Sequence, residues 1–358
     1  YTASVARSSI RVKNTSNVII SFSTAIQQIN TVLLVILGTY LIHSDDPHNR
    51  ITMGALIAAV ILSGRALAPL GQIASLATRF QQARLAMQGV NEIVRRPVER
   101  ESQTHYLTVK DIQGEFHFSA VTFFYKPELP AALKGMSVCI RPGEKVGIIG
   151  TIGCGKSTLL KMMVGLYRQN KGQITLDGVA MQQLDPCFVR DKVFLLEQNP
   201  RLFLGTLREN LQLSRLPGSL SDVDMINAAG RFGFDRFIRH HPCGLDMQIG
   251  EGGQGLSGGQ RQMVALTRMV LGSPRVVLLD EPTTGLDLQT ENIVLKGLNH
   301  WSRGRTMVVV THRLQVLNIV DRIIVMNEGR VMMDGPRDEI LKKLSGKQQS
   351  GESRAITS

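Results

Sequence analysis

The chain has 358 residues, enough for two domains, and carries a formal net charge of +12. Such a charge suits nucleic acid or an anionic membrane surface, but no basic run is interleaved with aromatic residues, which disfavours a nucleic-acid-binding protein. The four cysteines have neither paired nor metal-ligand spacing, which disfavours a disulfide framework or a zinc site and favours reduced cytosolic thiols.

Two apolar stretches lie near the start of the chain, over residues 18–42 and 51–70. Each is about as long as a bilayer-spanning helix, which predicts a transmembrane hairpin; two buried helices of a soluble domain are the alternative. The link between them carries Asp45 and Asp46, whereas basic residues flank the outer ends of the two stretches. Because positive residues stay in the cytoplasm, we expect the link to face outward and the chain beyond the second stretch to be cytoplasmic.

Three polar residues, Gln27, Gln28 and Asn30, interrupt the first stretch. We expect them to face the interior of a helical bundle, where they either line a translocation path or form hydrogen bonds between helices. Beyond the second stretch, apolar residues recur at helical spacing over residues 73–94. This pattern predicts a long helix that carries the second span into the cytoplasm and ends before Pro97.

A phosphate-binding loop is predicted between an apolar strand and a helix, where Gly150 to Ser157 fit the pattern G-x-x-x-x-G-K-[ST]. Glycines let backbone N–H groups close around phosphate oxygens, and the helix N-terminus adds partial positive charge. We expect Lys156 to reach the β- and γ-phosphates of a nucleotide and the Ser157 hydroxyl to hold Mg²⁺. A thiol reagent is expected to block activity at Cys154, and ATP to protect it. The predicted nucleotide-binding residues here are Gly150, Thr151, Gly153, Cys154, Gly155, Lys156, Ser157 and Thr158.

The pentapeptide at residues 256–260, Leu-Ser-Gly-Gly-Gln, precedes a segment of helical apolar periodicity. Ser257 is a suitable N-cap, and Gly258 and Gly259 leave the helix end open to an anion. A plain capped helix is the alternative.

A second motif follows a run of four apolar residues, 276–279, that is typical of a buried parallel strand. The run ends in Asp280 and Glu281. We expect Asp280 to hold Mg²⁺ through its water shell and Glu281 to orient or deprotonate the attacking water.

The pentapeptide, with Ser257, Gly258, Gly259 and Gln260 as nucleotide contacts, resembles the signature sequence of ATP-binding cassette (ABC) ATPases. The resemblance covers residues 114–344 and implies further roles. Tyr125 resembles the aromatic residue that stacks on adenine, and Gln198 resembles the glutamine that touches Mg²⁺ and faces the membrane domain. Asp287 ends a segment that resembles the D-loop, and His312 resembles the switch histidine at the γ-phosphate.

The fold implied by the resemblance is an α/β P-loop NTPase ABC nucleotide-binding domain, preceded by an all-α transmembrane segment. The chain then divides into a partial transmembrane domain over residues 1–96, a linker over 97–113, an ATP-binding domain over 114–345 and a disordered tail over 346–358. The resemblance also implies ATP and Mg²⁺ as cofactors, and a head-to-tail homodimer. Each ATP would lie between the phosphate loop of one copy and the Ser257 loop of the other.

The order of the domains, with membrane spans before the ATPase, resembles that of an ABC exporter. Exporters of this type carry six membrane spans before the ATPase, so we expect this chain to be a fragment that holds the fifth and sixth spans. Similarity to the type I secretion branch is carried by residues 54–58, 64–70, 184–186, 241–246 and 250–255. It implies a large polypeptide substrate, a periplasmic adaptor, an outer-membrane channel and a multi-pass location among the lipids of the bacterial inner membrane. A lipid or drug exporter and a soluble ABC ATPase are the alternatives.

Overall fold

The computed structural model describes residues 2–43, 51–96, 98–100, 105–214 and 219–352. The chain forms two compact units, Tyr1–Val98 and Glu99–Ser358. The predicted link between the apolar stretches falls almost wholly outside the described residues, and so does Pro97.

The first unit consists of helices α1, Thr2–Ile42, and α2, Met53–Val94. Gly38 allows the helices to approach closely, because a Cβ there would lie 2.1 Å from Leu56 Cδ1. Asn30 donates a hydrogen bond to the Ser63 hydroxyl across this pair. That contact corresponds to the predicted bonding between helices.

One helix of the described residues, Thr24–Ile42, is long and apolar enough to cross a membrane. The second span predicted over residues 51–70 stays a prediction; among the described residues, α2 contains a shorter apolar stretch, Met53–Ala66. The helix itself continues to Val94, as the periodicity predicted.

The second unit begins earlier than residue 114. Glu99 pairs with Arg190 at 2.7 Å, Leu107 forms a parallel bridge with Leu184, and Ile112 is buried. Much of the predicted linker over residues 97–113 therefore packs within this unit, because its apolar side chains find partners there.

The strands of the second unit are β1 Phe116–Phe123, β2 Leu133–Ile140, β3 Lys145–Gly150, β4 Lys171–Leu176, β5 Val179–Ala180, β6 Val193–Leu196, β7 Gly205–Thr206, β8 Gln248–Ile249, β9 Val276–Asp280, β10 Thr306–Val310, β11 Arg322–Asn327 and β12 Arg330–Pro336. Its helices are α3 Lys156–Met163, α4 Pro186–Lys192, α5 Leu207–Gln212, α6 Asp222–Gly230, α7 Asp235–His240, α8 Gly258–Gly272, α9 Leu288–Trp301, α10 Leu314–Leu317 and α11 Arg337–Glu352.

A six-stranded sheet in the order β12-β11-β3-β10-β9-β6 forms the centre of the second unit. Its strands are parallel except β12, which pairs antiparallel with β11 at the edge. Every residue of β9 and β10 is buried, which agrees with their runs of four apolar residues, 276–279 and 307–310. A four-stranded antiparallel sheet, β2-β1-β4-β5, carries a second group of core side chains.

The register of the parallel strands brings the predicted motifs to one edge of the sheet. Val310 of β10 lies opposite both Ile148 of β3 and Asp280 of β9, and Leu196 of β6 lies opposite Leu279. Because the strands are parallel, the loops that follow β3, β6, β9 and β10 leave from the same edge. These loops begin the segments that carry the predicted site.

The C-terminal prediction needs a correction. The disordered tail was expected from residue 346, but α11 continues to Glu352. Residues 347–349 are Lys and Gln, which favour helix, and acidic residues in the first turn of α11 complement its dipole. Residues 353–358 lie outside the described part of the chain.

Candidate active site

The phosphate loop joins β3 to α3 in the predicted strand–loop–helix arrangement. Gly153 and Gly155 have φ of +80° and +100°, and Gly155 is the N-cap of α3. Such φ values are readily available only to glycine. At Gly155 a Cβ would also lie 2.5 Å from the Ala132 carbonyl oxygen, so this position cannot hold a side chain without a backbone shift.

The Lys156 ammonium lies within the loop. Its Nζ donates to the carbonyl oxygens of Gly150 at 2.8 Å and Thr151 at 2.9 Å, and lies 3.8 Å from Cys154 Sγ. The lysine and Cys154 are both buried. A buried positive charge thus lies in the loop that leads into the N-terminus of α3, an arrangement that suits a phosphate.

Asp280 lies at the end of β9, where the Ser157 hydroxyl and the Lys156 charge act on its carboxyl group. Burial raises the pKa of Asp280, and these two partners oppose that effect. The pair supplies hard oxygen donors, which fit Mg²⁺, an ion that keeps several waters and takes few protein ligands.

Glu281 is held between β9 and the loop after β10. Its Oε2 accepts from Thr311 Oγ1 at 3.2 Å, and its Oε1 accepts from the His312 backbone N–H at 3.0 Å. His312 Nε2 lies 3.7 Å from the same Oε1. Glu281 is 9% exposed and has φ of +49°, a strained backbone for glutamate that occurs mainly at functional sites. A fixed carboxylate beside an imidazole can orient and deprotonate a water.

Tyr125 lies near the start of α3. Its hydroxyl is 2.8 Å from Thr158 Oγ1, and its ring packs edge-on against Phe123 and Tyr167, with centroids 5.0 and 5.3 Å away. The ring is half exposed, so an aromatic surface stands beside the phosphate loop. Thr151 hydrogen-bonds through its hydroxyl to Asn327 on β11.

Gln198 is exposed and lies two residues beyond β6, the strand next to β9. The preceding Glu197 pairs with Lys161 of α3 at 3.3 Å. Gln198 therefore lies at the same edge of the central sheet as Asp280 and Glu281.

Ser257 and Asp287 act as helix caps in this chain. Ser257 accepts from Gln260 N at 3.2 Å, and its own N–H donates to Gln260 Oε1, which forms a capping box at the start of α8. Asp287 caps α9 through the N–H groups of Gln289 and Thr290, and hydrogen bonds from Thr290 lower its pKa. Among the described residues, no hydrogen bond joins the Ser257 loop to the phosphate loop.

The two glycines of the pentapeptide, Gly258 and Gly259, begin α8. A Cβ at Gly259 would lie 2.8 Å from the Gly285 carbonyl oxygen, so the start of α8 packs directly on the loop that leads to Asp287. This contact places the pentapeptide and the D-loop-like segment side by side.

Sequence reasoning missed a buried polar group behind the site. Glu291 of α9 is 1% exposed and accepts from Thr283 Oγ1 at 2.7 Å and Arg313 Nη1 at 2.8 Å. The sequence contained a feature that could have predicted this burial, because Glu291 falls on the apolar face of α9 with Val294 and Leu298.

Comparisons with known proteins support the same interpretation. Residues 133–284 match the family model described as ABC transporter. The leukotoxin translocation ATP-binding protein of Mannheimia glucosida is 35% identical over 324 residues, which are 90% of this chain and 45% of that protein. The RTX-I toxin translocation ATP-binding protein of Actinobacillus pleuropneumoniae is 34% identical over 321 residues, 90% of this chain and 44% of that protein.

A solved structure of a bacterial Atm1-family ABC exporter with ATP bound is similar to this chain with a TM-score of 0.73 and 25% identity. The similarity covers 94% of this chain and 58% of that one. The chain thus spans less than half the length of the curated relatives that it matches.

Proposed function

Because this chain belongs to the ABC transporter family, we propose that it is the ATP-hydrolysing part of an exporter in the bacterial inner membrane, with the second unit in the cytoplasm. The observation that carries the proposal is the convergence of Lys156, Asp280, Glu281 and His312 at one edge of the central sheet. A phosphate loop, a Mg²⁺ ligand and a buried base in that arrangement form the set of groups that ATP hydrolysis needs.

Each residue has a separate role in the proposed reaction. Lys156 and the loop N–H groups bind the β- and γ-phosphates, and Tyr125 stacks on adenine. Ser157, Asp280 and Gln198 would hold Mg²⁺, which neutralises phosphate charge when bound. Glu281 accepts the proton of the attacking water, and His312 contacts the γ-phosphate.

The active form is proposed to be a homodimer. Within the described contacts of one chain, Ser257 caps its own helix, which leaves the N-terminus of α8 available to a second copy; in the proposed dimer that copy supplies the Ser257 loop of each site. Gly258, Gly259 and Gln260 would then present the N-terminus of α8 to the nucleotide of the partner copy, and Asp287 would lie at the same interface.

Type I secretion is the proposed branch, with a large polypeptide as substrate and with a periplasmic adaptor and an outer-membrane channel as partners. The named relatives, which translocate toxins, support this choice. The helix Thr24–Ile42, which is long enough to span a bilayer, supports a membrane protein over a soluble ABC ATPase.

The catalytic assignment is tested by comparing Glu281→Gln with Glu339→Gln, which makes the same chemical change at an exposed position on α11. Loss of the base should lower the rate of ATP hydrolysis by about 10²–10⁴-fold. Nucleotide binding should persist in Glu281→Gln, and Lys156→Ala should weaken it. Hydrolysis by Glu281→Gln at the rate of Glu339→Gln would refute the assignment.

The cargo class is tested in cells that express Glu281→Gln in place of the natural protein. Retention of a secreted polypeptide inside the cell is the expected result. Normal polypeptide secretion with altered lipid or drug efflux would instead establish the lipid or drug exporter.

A further inference from the structure

The Glu291 carboxylate joins the loop after β9 to the loop after β10. It is 1% exposed, Thr283 donates to its Oε1, and Arg313 donates to its Oε2. Thr283 is two residues after Glu281, and Arg313 directly follows His312. One buried side chain on α9 is therefore bonded to the neighbours of both residues that face the attacking water.

The bonds form a closed circuit around the proposed base. Thr311 Oγ1 donates to Glu281 and accepts from the Arg313 backbone N–H at 3.0 Å. Arg313 continues the circuit to Glu291, and Glu291 returns it to Thr283. A shift of either loop would therefore break a bond to Glu281 or to Glu291.

A buried charge at this position needs a reason, since stability alone would favour an apolar residue. The other residues on the buried face of α9 include Val294, Leu295 and Leu298. A buried ion pair contributes little net stability compared with packed apolar side chains, but removing one partner leaves the other charge uncompensated. In this chain the pair, together with Thr283, fixes the relative position of the two loops that carry Glu281 and His312.

We propose that Glu291 is a positioning residue that holds the loop after β9 and the loop after β10 in register, so that Glu281 and His312 face the same water. This inference rests on the proposed ATPase. Glu291 itself touches no substrate atom in this assignment; it acts through Thr283 and Arg313. Because Thr283 precedes the segment that leads to Asp287, the same carboxylate also anchors the part of the chain assigned to the dimer interface.

The first test is Glu291→Gln in the whole chain. The amide oxygen can still accept from Thr283, whereas the amide N–H₂ group cannot accept from Arg313. We expect kcat for ATP hydrolysis to fall about 10- to 100-fold, the size of effect that a small misplacement of catalytic groups produces. KM and ATP binding should stay within about twofold, because the phosphate loop is untouched.

Substitution of Arg313 tests the same contact from its other side, because Arg313 donates to the Glu291 carboxylate. The Arg313 side chain is 41% exposed, but Arg313→Met leaves the buried Glu291 carboxylate without its cation, so the melting temperature of each variant is measured beside kcat, and Glu291→Gln carries the test if Arg313→Met does not fold. Arg313→Met should lower kcat as Glu291→Gln does, and Arg313→Lys should restore at least half of the lost rate. The double variant should be no slower than the slower single variant, since both changes cut one circuit.

Asp334→Asn is the matched control, because Asp334 pairs with Arg322 at 2.6 Å on strands β11 and β12, away from the catalytic loops. It should lower the melting temperature without changing kcat. Suppose that Glu281→Gln blocks hydrolysis while Glu291→Gln and Arg313→Met keep kcat within about twofold of wild type. The positioning role of Glu291 is then wrong, and the proposed ATPase function is retained. If Glu281→Gln hydrolyses ATP normally, the proposed function and the positioning role of Glu291 both fall.

Discussion

Replacement of Gly155 by alanine tests the phosphate-loop geometry directly. Gly155 has φ of +100°, and a new Cβ would lie 2.5 Å from the Ala132 carbonyl oxygen and 2.9 Å from Leu133 Cδ2. The left-handed backbone costs a residue other than glycine about 1–2 kcal/mol. Overpacking that forces the backbone to move typically costs about 1–3 kcal/mol more.

Gly178 provides the matched control, because it has φ of +79° in the turn between β4 and β5 but nothing within 4 Å of a new Cβ. Gly178→Ala therefore carries only the backbone cost. Both variants regain about 0.4–1 kcal/mol because alanine restricts the unfolded chain. The difference in stability between them isolates the contact of residue 155 with Ala132.

The single tryptophan makes the measurement specific to the second unit. Trp301 is buried in α9, so its fluorescence reports the unfolding of this unit and not of the first. For a unit of this size, 1 kcal/mol shifts the melting temperature by about 2–4 °C. We expect Gly155→Ala to lower it by about 5–10 °C and Gly178→Ala by about 2 °C.

Nucleotide binding gives the second readout for the same pair. Gly155→Ala displaces the N-cap of α3 and the adjacent Lys156, so ATP binding should be lost, whereas Gly178→Ala should bind ATP as wild type does. Equal losses of melting temperature in the two variants, or wild-type ATP binding by Gly155→Ala, would refute the reasoning.

Two further predictions concern thiol chemistry and pH. Cys154 is 3% exposed, whereas Cys187 and Cys243 are exposed, so an alkylating reagent should modify Cys187 and Cys243 first. ATPase activity should decline only as Cys154 is labelled, and mass spectrometry follows the labelling of each cysteine. A loss of activity that keeps pace with the labelling of Cys187 and Cys243 would contradict this prediction. Burial raises the pKa of Asp280, so the stability linked to its protonation is present below the unfolded pKa of about 3.9 and is lost as pH rises through the folded pKa. Without Mg²⁺, Asp280→Asn should therefore have a higher melting temperature than wild type at pH 7, and the difference in melting temperature should shrink toward about pH 4. A difference that does not change with pH would contradict the raised pKa of Asp280.

The predictions from sequence succeeded where local pattern and chain order were enough. The buried strands β9 and β10 were readable because both of their faces are covered, which leaves no polar alternation. The phosphate loop could be predicted because its glycine spacing and the start of the following helix are both set by residues that are neighbours in the sequence. The end of the C-terminal helix was not predicted, since it depends on how far a weak helical pattern extends: α11 continues to Glu352, beyond the predicted start of the tail at residue 346.

Other features required three-dimensional packing. Glu291 and Arg313 are 22 residues apart, and their contact depends on how α9 packs against the loop after β10. The closed circuit from Glu281 through Thr311 and Arg313 depends on the parallel pairing of β9 with β10. Neither has a spacing rule in the sequence.

The amino-acid sequence alone was enough to predict the proposed chemistry, because the phosphate loop, the pair Asp280 and Glu281, and His312 follow one another in the order typical of ABC ATPases. Only the tertiary structure decided which side chains hold those groups in place, that Cys154 is buried, and that Ser257 bonds to its own helix. The physical reason is that chemical motifs are carried by neighbouring residues, whereas burial and long-range hydrogen bonds exist only after strands and helices have packed.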